Sequence, residues 1–204
     1  MKRRTIYLIR HGQYTPEEGQ DTKPPGTGLT ETGVQQAEMT ADFLADIPFT
    51  KLCASTMLRA KQTAKIIQSR FPHLRLKTSK RLCEIIPPVP YLAMKYVKEI
   101  SHERIARDRH QAERAYAAYF KPAGNKNEVE VIVSHGNLIR YFTCRVLQIS
   151  PLVWMNFETY NCSITTVELD ENGNAILLSY NESGHLSEKL RTQNLTPMGV
   201  KSKE

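Results

Sequence analysis

The chain has 204 residues, of which 40% are hydrophobic and 24% are charged, a composition typical of a soluble globular domain. Its 28 Lys and Arg outnumber its 21 Asp and Glu and give a formal net charge of +7, which favours anionic partners. The basic residues are dispersed and not interleaved with aromatic side chains, so we expect no nucleic-acid partner. No apolar run approaches the roughly 20 residues needed to span a bilayer, and no signal peptide is recognisable. We therefore expect a cytoplasmic protein with no membrane partner.

The first half of the chain alternates between strand-like and helix-like segments. Thr5–Ile9 is β-branched and apolar throughout, as a buried strand should be. A Pro/Gly-rich loop follows over residues 16–28. Thr30 is the predicted cap of a helix that ends at Pro48. A short strand, Lys51–Ala54, then leads into a second helix before Pro72.

The second half continues the alternation after an irregular, proline-rich segment over residues 82–92. The predicted elements are a helix from Glu103 to Phe120, a strand from Val129 to Val133, a helix from Asn137 to Leu147, and strands Ser163–Leu169 and Ala175–Tyr180 joined by a hairpin turn. This order predicts an α/β fold, a three-layer α/β/α sandwich with a mainly parallel sheet. We expect one domain over residues 1–192 and a polar, mobile tail over residues 193–204.

Three of the predicted strands end in residues that could bind an anion. Arg10 and His11 follow the first strand, Ser55 and then Arg59 follow the second, and His135 follows the Val129–Val133 strand. Ligands of such sheets bind outside the carboxyl ends of the strands. Arginine matches phosphate oxygens bidentately and keeps its charge, and a neutral imidazole is a competent nucleophile. The sequence therefore predicts a phosphoryl-transfer site, in which Gly12 and Gly136 let the backbone approach a ligand.

Four segments in register resemble the motifs of the histidine phosphatase, or phosphoglycerate mutase-like, superfamily. They are Leu8-Ile9-Arg10-His11-Gly12-Gln13, Leu29-Thr30-Glu31-Thr32-Gly33-Val34-Gln35-Gln36-Ala37, Ser55-Thr56-Met57-Leu58-Arg59-Ala60-Lys61-Gln62-Thr63-Ala64 and Val133-Ser134-His135-Gly136-Asn137. The resemblance runs from Thr5 to about Tyr180, and it implies a phosphoglycerate mutase-like fold and a phosphatase that forms a phosphohistidine.

The resemblance also implies a role for each site residue. His11 is the nucleophile, while Arg10, Arg59 and His135 bind the phosphoryl oxygens. Glu84 falls where the family places its proton donor. Gln13 and Asn137 are expected to line the entrance, and no metal or diffusible cofactor is expected.

Within the superfamily, the resemblance is to a mitochondrial serine/threonine protein phosphatase. It is carried by Gln13-Tyr14, by Asn137-Leu138-Ile139-Arg140-Tyr141, by Cys144-Arg145-Val146-Leu147-Gln148 and by Asn161-Cys162-Ser163-Ile164-Thr165. This chain has Gly12 where that protein has serine, and it lacks that protein's N-terminal membrane segment and multimerisation motif, so we expect a soluble homologue. The resemblance implies a homodimer and a phosphoprotein substrate, with phosphoserine, phosphothreonine, phosphohistidine and small phosphomonoesters all left open.

Several alternatives accompany these assignments. Cys53 and Arg59 have the C-x5-R spacing of cysteine-dependent phosphatases, but no glycine lies between them to allow the phosphate loop. A mutase and a catalytically silent, phosphoprotein-binding scaffold are the other functional alternatives. Glu99 and Glu103 compete with Glu84 as the acid. The cysteines are expected to be reduced thiols, and the remaining histidines, His73, His102, His110 and His185, are expected at the surface.

Overall fold

Six strands and four α-helices are formed by the residues that the computed structural model describes, which are 1–15, 25–90 and 100–193. The strands are β1 (Arg4–Arg10), β2 (Lys51–Ser55), β3 (Leu76–Ser79), β4 (Glu128–Ser134), β5 (Ile164–Leu169) and β6 (Ala175–Glu182). The helices are α1 (Glu31–Phe43), α2 (Leu58–Arg70), α3 (His102–Tyr119) and α4 (Gly136–Val146). They follow the predicted alternation closely.

The strands join in one mixed sheet with the order β3-β2-β4-β1-β5-β6. The pairs β3–β2, β2–β4 and β4–β1 are parallel, while β5 is antiparallel to both β1 and β6. The predicted hairpin is confirmed, because the Asp170 N–H donates to the Asn174 carbonyl and Gly173 takes a left-handed φ of 87°. The strands β2, β4 and β1 are thus neighbours that end at the same edge.

Alternate side chains of the central strands enter two separate apolar layers. Ile9, Ala54 and Val133 pack on one face with residues of α1 and α2, whereas Ile6, Leu8, Ile132 and others pack on the opposite face with residues of α3 and α4. Burying one such aliphatic side chain contributes about 1.5–3 kcal/mol before entropy is counted. Helices therefore cover both faces, and the predicted α/β/α sandwich with a mainly parallel sheet is confirmed.

Hydroxyl caps fix where two of the helices begin. The Thr30 side chain accepts from the Gly33 N–H at the start of α1, and the Ser101 side chain accepts from the Arg104 N–H at the start of α3. The Thr30 cap confirms its prediction. Strand β3 was not predicted, because only Leu76 among its four residues is apolar and the strand lies at the edge of the sheet.

Parts of three predictions lie outside the described residues. These are most of the proline- and glycine-rich loop (16–24), the end of the irregular segment (91–92) and the tail from residue 194 onward. The segment just before the tail is attached to the body of the protein, since the Asn161 N–H donates to the Thr192 carbonyl at 2.9 Å. In the ranges that are described, no helix is long and apolar enough to cross a membrane.

Candidate active site

Residues from three neighbouring strand ends meet in one buried cluster. The Arg59 Nε donates a hydrogen bond of 3.0 Å to the His11 Nε2, and the rings of His11 and His135 lie 5.0 Å apart, edge to face. Arg10, His11, Arg59 and His135 are all nearly inaccessible to solvent, with exposures of 6%, 2%, 1% and 0%. The structure thus brings together the four residues that the sequence selects, although they span more than half of the chain.

The proton of the His11 ring can be assigned from its neighbours. The Nδ1 atom lies 2.8 Å from the Gly12 carbonyl oxygen, which can only accept, so Nδ1 carries the proton. The Nε2 atom then holds a lone pair, and it accepts from Arg59. The ring nitrogen that carries a lone pair is therefore Nε2, and that lone pair is directed at Arg59.

Both histidines of the cluster are held neutral. Burial lowers the pKa of His11 well below 6.5, and the charges of Arg59, His135 and Arg10 lower it further, against a smaller rise from the Gly12 carbonyl. The pKa of His135 is lowered well below 6.5 in the same way, first by burial and then by the two arginines. An imidazole must be neutral to act as a nucleophile.

The Arg10 side chain is held by a hydrogen bond to the backbone, and one of its N–H donors has no partner among the described residues. Its Nη1 donates to the Thr159 carbonyl, and its Nε has no hydrogen-bond partner among the described residues. Burial is the main cause that lowers the pKa of Arg10, followed by the charge of Arg140, while Glu84 and Glu158 raise it. A guanidinium anchored in this way offers a preformed contact to an anion.

Glu84 lies at the start of helix α4, half-buried beside the cluster. Its carboxylate accepts the N–H groups of Asn137 at 3.5 Å and Leu138 at 3.3 Å, which are free donors of the helix N-terminus. Burial raises the pKa of Glu84, although Arg59, Arg10 and the backbone donors oppose the rise. The competitor Glu103 is exposed in the first turn of α3, and Glu99 lies outside the described residues.

The two predicted entrance residues are half-buried and already engaged. The Asn137 side chain donates to the Ile85 carbonyl at 3.1 Å, and the Gln13 side chain accepts from the Thr30 hydroxyl at 2.8 Å. The Gln13 N–H donates to the buried Gln36 side chain at 2.7 Å. These bonds hold the segment after His11 against helix α1.

The two glycines of the site both lie against other parts of the protein. A side chain at Gly12 would collide with the Gly33 backbone, and one at Gly136 would meet Thr159 at 3.0 Å and Arg10 at 3.4 Å. The close approach at Gly12 is therefore to helix α1, and at Gly136 it is to the residues that hold Arg10. Packing within the protein is thus sufficient to require glycine at both positions, and the approach of a ligand to this backbone stays a prediction.

Four contacts of the site, made by three residues, were not predicted from the sequence. The Tyr14 ring packs 4.3 Å from the Arg59 guanidinium and 5.2 Å from the His11 ring. The Ser55 Oγ lies 2.8 Å from the His135 Nε2, and the Asn161 side chain donates to the His11 carbonyl at 3.1 Å. Each contact either joins residues that are distant in sequence or adds a contact within a motif already recognised, so no local sequence pattern predicts it.

The cysteine-dependent alternative does not fit the position of Cys53. Its side chain points into the sheet face covered by α3 and α4 and lies 3.4 Å from the Glu130 carboxylate. Burial and this carboxylate raise the pKa of Cys53 to about 12, so the thiol stays protonated. The four cysteines are free thiols, as predicted: Cys53, Cys83, Cys144 and Cys162.

Three of the four remaining histidines are at the surface, as predicted, and one is not. His73, His102 and His110 are exposed, whereas His185 is half-buried, with its Nε2 3.0 Å from the Thr40 hydroxyl. Its ring also packs 5.0 Å from Phe43. Within the described ranges, no group of three or more His, Cys, Asp or Glu side chains could hold a metal ion.

The sequence matches known proteins over most of its length. It is 37% identical over 193 residues to "Serine/threonine-protein phosphatase Pgam5, mitochondrial" of Caenorhabditis briggsae, covering 90% of this chain and 65% of the relative. It is 35% identical to the protein of the same name in Drosophila willistoni, covering 94% of this chain and 67% of the relative. The chain thus spans about two thirds of the length of these relatives.

Solved structures show the same fold. A phosphoglycerate mutase from Plasmodium falciparum aligns over 100% of both chains with a TM-score of 0.62 and 29% identity. The protein YhfR from Bacillus stearothermophilus covers 89% of this chain and 98% of its own, with a TM-score of 0.73 and 18% identity. The family model of the histidine phosphatase superfamily (branch 1) matches residues 6–182. With the buried cluster of two histidines and two arginines, this match shows that the chain belongs to the histidine phosphatase superfamily.

Proposed function

We propose that the chain hydrolyses phosphomonoesters through a phosphohistidine formed on His11. The observation that carries the proposal is the single lone pair of the buried His11, which points from Nε2 toward the Arg59 side chain. A neutral nucleophile next to two buried arginines is matched to a phosphoryl group, whose oxygens the arginines bind as the nitrogen attacks phosphorus.

The reaction has two steps that balance in atoms and charge. The His11 Nε2 attacks phosphorus and a P–N bond forms while the P–O bond to the leaving group breaks. Glu84, in its protonated form, gives its proton to the leaving oxygen. Water then attacks phosphorus, loses a proton to the Glu84 carboxylate, and breaks the P–N bond to release phosphate.

The environment of Glu84 supports this part in the reaction. Burial raises its pKa and favours the acid form, while the N–H groups at the start of α4 can donate to the carboxylate that remains after proton transfer. No metal ion takes part in the proposed reaction, because Arg10, Arg59 and His135 supply the stabilising charge and donors.

We further propose that phosphoserine or phosphothreonine in proteins is the preferred substrate. The support is the 34–37% identity with relatives named as serine/threonine phosphatases and the net charge of +7, which favours acidic phosphopeptides. The homodimer, the cytoplasmic location and the domain limit at residue 192 remain predictions from the sequence, and the names of the relatives place those proteins in mitochondria.

The decisive experiment is phosphate release in EDTA from phosphoserine, phosphothreonine and phosphohistidine peptides and from small phosphomonoesters, with His11→Ala as the blank. The proposal predicts turnover by the native chain, none by His11→Ala, and an acid-labile phosphoryl label on the quenched native protein. Turnover that persists in His11→Ala refutes the mechanism. Silence of both proteins supports a binding scaffold, and transfer of phosphate to a second substrate group instead of water supports a mutase.

A further inference from the structure

The His135 ring has two nitrogens in contrasting surroundings. The Nε2 atom lies 2.8 Å from the Ser55 hydroxyl, whereas Nδ1 is buried and has no hydrogen-bond partner among the described residues. The whole residue is 0% exposed, so bulk solvent does not reach Nδ1. It is therefore the nitrogen that remains to meet a phosphoryl oxygen.

A neutral imidazole has a single N–H, and its position decides whether His135 attracts or repels that oxygen. With the proton on Nδ1, the ring donates a hydrogen bond to the oxygen. With the proton on Nε2, a bare lone pair faces an anion in a dry pocket, where the repulsion is stronger than in water. Burial and two arginines keep the pKa of His135 low, so its ring carries a single proton in the free protein. The nitrogen that carries this proton decides whether Nδ1 can donate to the anion.

The Ser55 hydroxyl is the group that touches Nε2, and it has two possible directions for its proton. Its oxygen accepts the Met57 N–H at 3.2 Å and lies 3.5 Å from the Cys83 sulfur. The sulfur in turn lies 3.1 Å from the Thr56 hydroxyl. If the Ser55 proton goes to Cys83, the His135 proton must sit on Nε2; if it goes to His135, Nε2 accepts and Nδ1 carries the proton.

We propose that Ser55 is a positioning residue that donates to the His135 Nε2 and so places the imidazole proton on Nδ1, facing the phosphoryl oxygen. The inference rests on the proposed function for its catalytic consequence. The distances favour this direction: the Ser55 hydroxyl lies 2.8 Å from the ring nitrogen, against 3.5 Å from the Cys83 sulfur, which is the weaker acceptor. The Thr56 hydroxyl, 3.1 Å from the same sulfur, can donate to it in place of Ser55. Thr56 is half-buried and near solvent.

The test is ¹⁵N NMR of the imidazole nitrogens, with inorganic phosphate as the bound anion and His135→Gln to assign the signals. We expect Nδ1 of His135 to show the shift of a protonated nitrogen and Nε2 that of an unprotonated one, both without and with phosphate. Ser55→Ala should give a mixture of both tautomers and lower kcat by about tenfold or more, with a smaller change in KM.

Two results overturn the proposal: a proton on Nε2 in the native protein, whether alone or together with one on Nδ1, or a kcat that is unchanged in Ser55→Ala. Thr143→Val is the matched control, because it removes a buried hydroxyl that bonds only within helix α4; its tautomer and kcat should remain native. If the native chain has no phosphatase activity but shows the expected tautomer, the proposed function fails while the placement of the proton stands.

Discussion

Replacing Glu84 by glutamine should slow the reaction by an amount that depends on the leaving group. Glutamine keeps the size of the side chain and can accept the N–H groups of Asn137 and Leu138, but it cannot donate a proton acidic enough for a departing alkoxide. General acid catalysis contributes about 10²–10⁴-fold, so we expect a loss in that range on a phosphoserine peptide. On p-nitrophenyl phosphate, whose phenolate leaves without protonation, the loss should be smaller by at least about tenfold.

The assay compares kcat/KM for the two substrates, because this ratio covers only the steps through transfer of the phosphoryl group to His11. Glu103→Gln is the control, since Glu103 is exposed on α3 and its replacement should change neither substrate. The reasoning is refuted if Glu84→Gln loses the same factor on both substrates, because the carboxylate then acts through its charge alone.

The dependence of activity on pH gives a second test of Glu84 as the proton donor. The proposed reaction needs neutral His11 and protonated Glu84, so we expect the low-pH limb to follow the lowered pKa of His11 and the high-pH limb to follow the raised pKa of Glu84. The optimum of kcat/KM should therefore lie on the acid side of neutrality. Loss of the high-pH limb in Glu84→Gln is the expected outcome, and an unchanged limb assigns it to another group.

Three further predictions concern stability and the alternative nucleophile. The folded pKa values of His11 and His135 lie below 6.5, so the unfolded chain binds more protons than the folded one as pH falls through that value. The urea concentration at the midpoint of unfolding should therefore decrease as the pH is lowered below about 6.5, and an increase there contradicts the assignment. Cys53→Ser should keep nearly all turnover, and an inactive variant would restore the cysteine mechanism. Gln36→Leu leaves the Gln13 N–H, which Gln36 bonds at 2.7 Å, without its partner, while the Leu190 carbonyl keeps the Thr192 N–H at 3.0 Å. At about 1–3 kcal/mol for one unsatisfied buried group, urea titration should show a drop of about 1–3 kcal/mol in unfolding free energy, against little change in the exposed control Gln35→Leu.

The strand ends were predictable because a buried strand is recognisable from a short, continuous run of apolar residues. Thr5–Ile9 and Val129–Val133 are continuous apolar runs, and each stops at a polar residue that faces the edge of the sheet. The parallel order of these strands then brings Arg10, His11 and His135 together. Strand β3 lacks such a run, because an edge strand with one covered side needs few apolar residues.

The polar contacts that tune the site have no such local record. Ser55 and His135 are 80 residues apart, and Gln36 contacts Thr192, which is 156 residues away. Each bond depends on the relative position of two separate elements, which must be correct to within the few tenths of an ångström that a hydrogen bond allows. The half-buried position of His185 has the same origin, because its partner Thr40 lies on a helix 145 residues earlier.

The two histidines of the site are neutral for the same physical reason, and the proposed reaction needs opposite arrangements of their protons. His11 must present a lone pair at Nε2, and the Gly12 carbonyl secures it, because a carbonyl oxygen can only accept and cannot turn its role around. His135 must present a proton at Nδ1, and its partner at Nε2 is the Ser55 hydroxyl, which can donate or accept. The backbone thus fixes the proton of His11, the proposed nucleophile. The proton of His135, the proposed phosphate-binding histidine, depends on the direction in which the Ser55 hydroxyl donates. This difference makes His135, rather than His11, the member of the pair whose chemistry a neighbouring side chain can change.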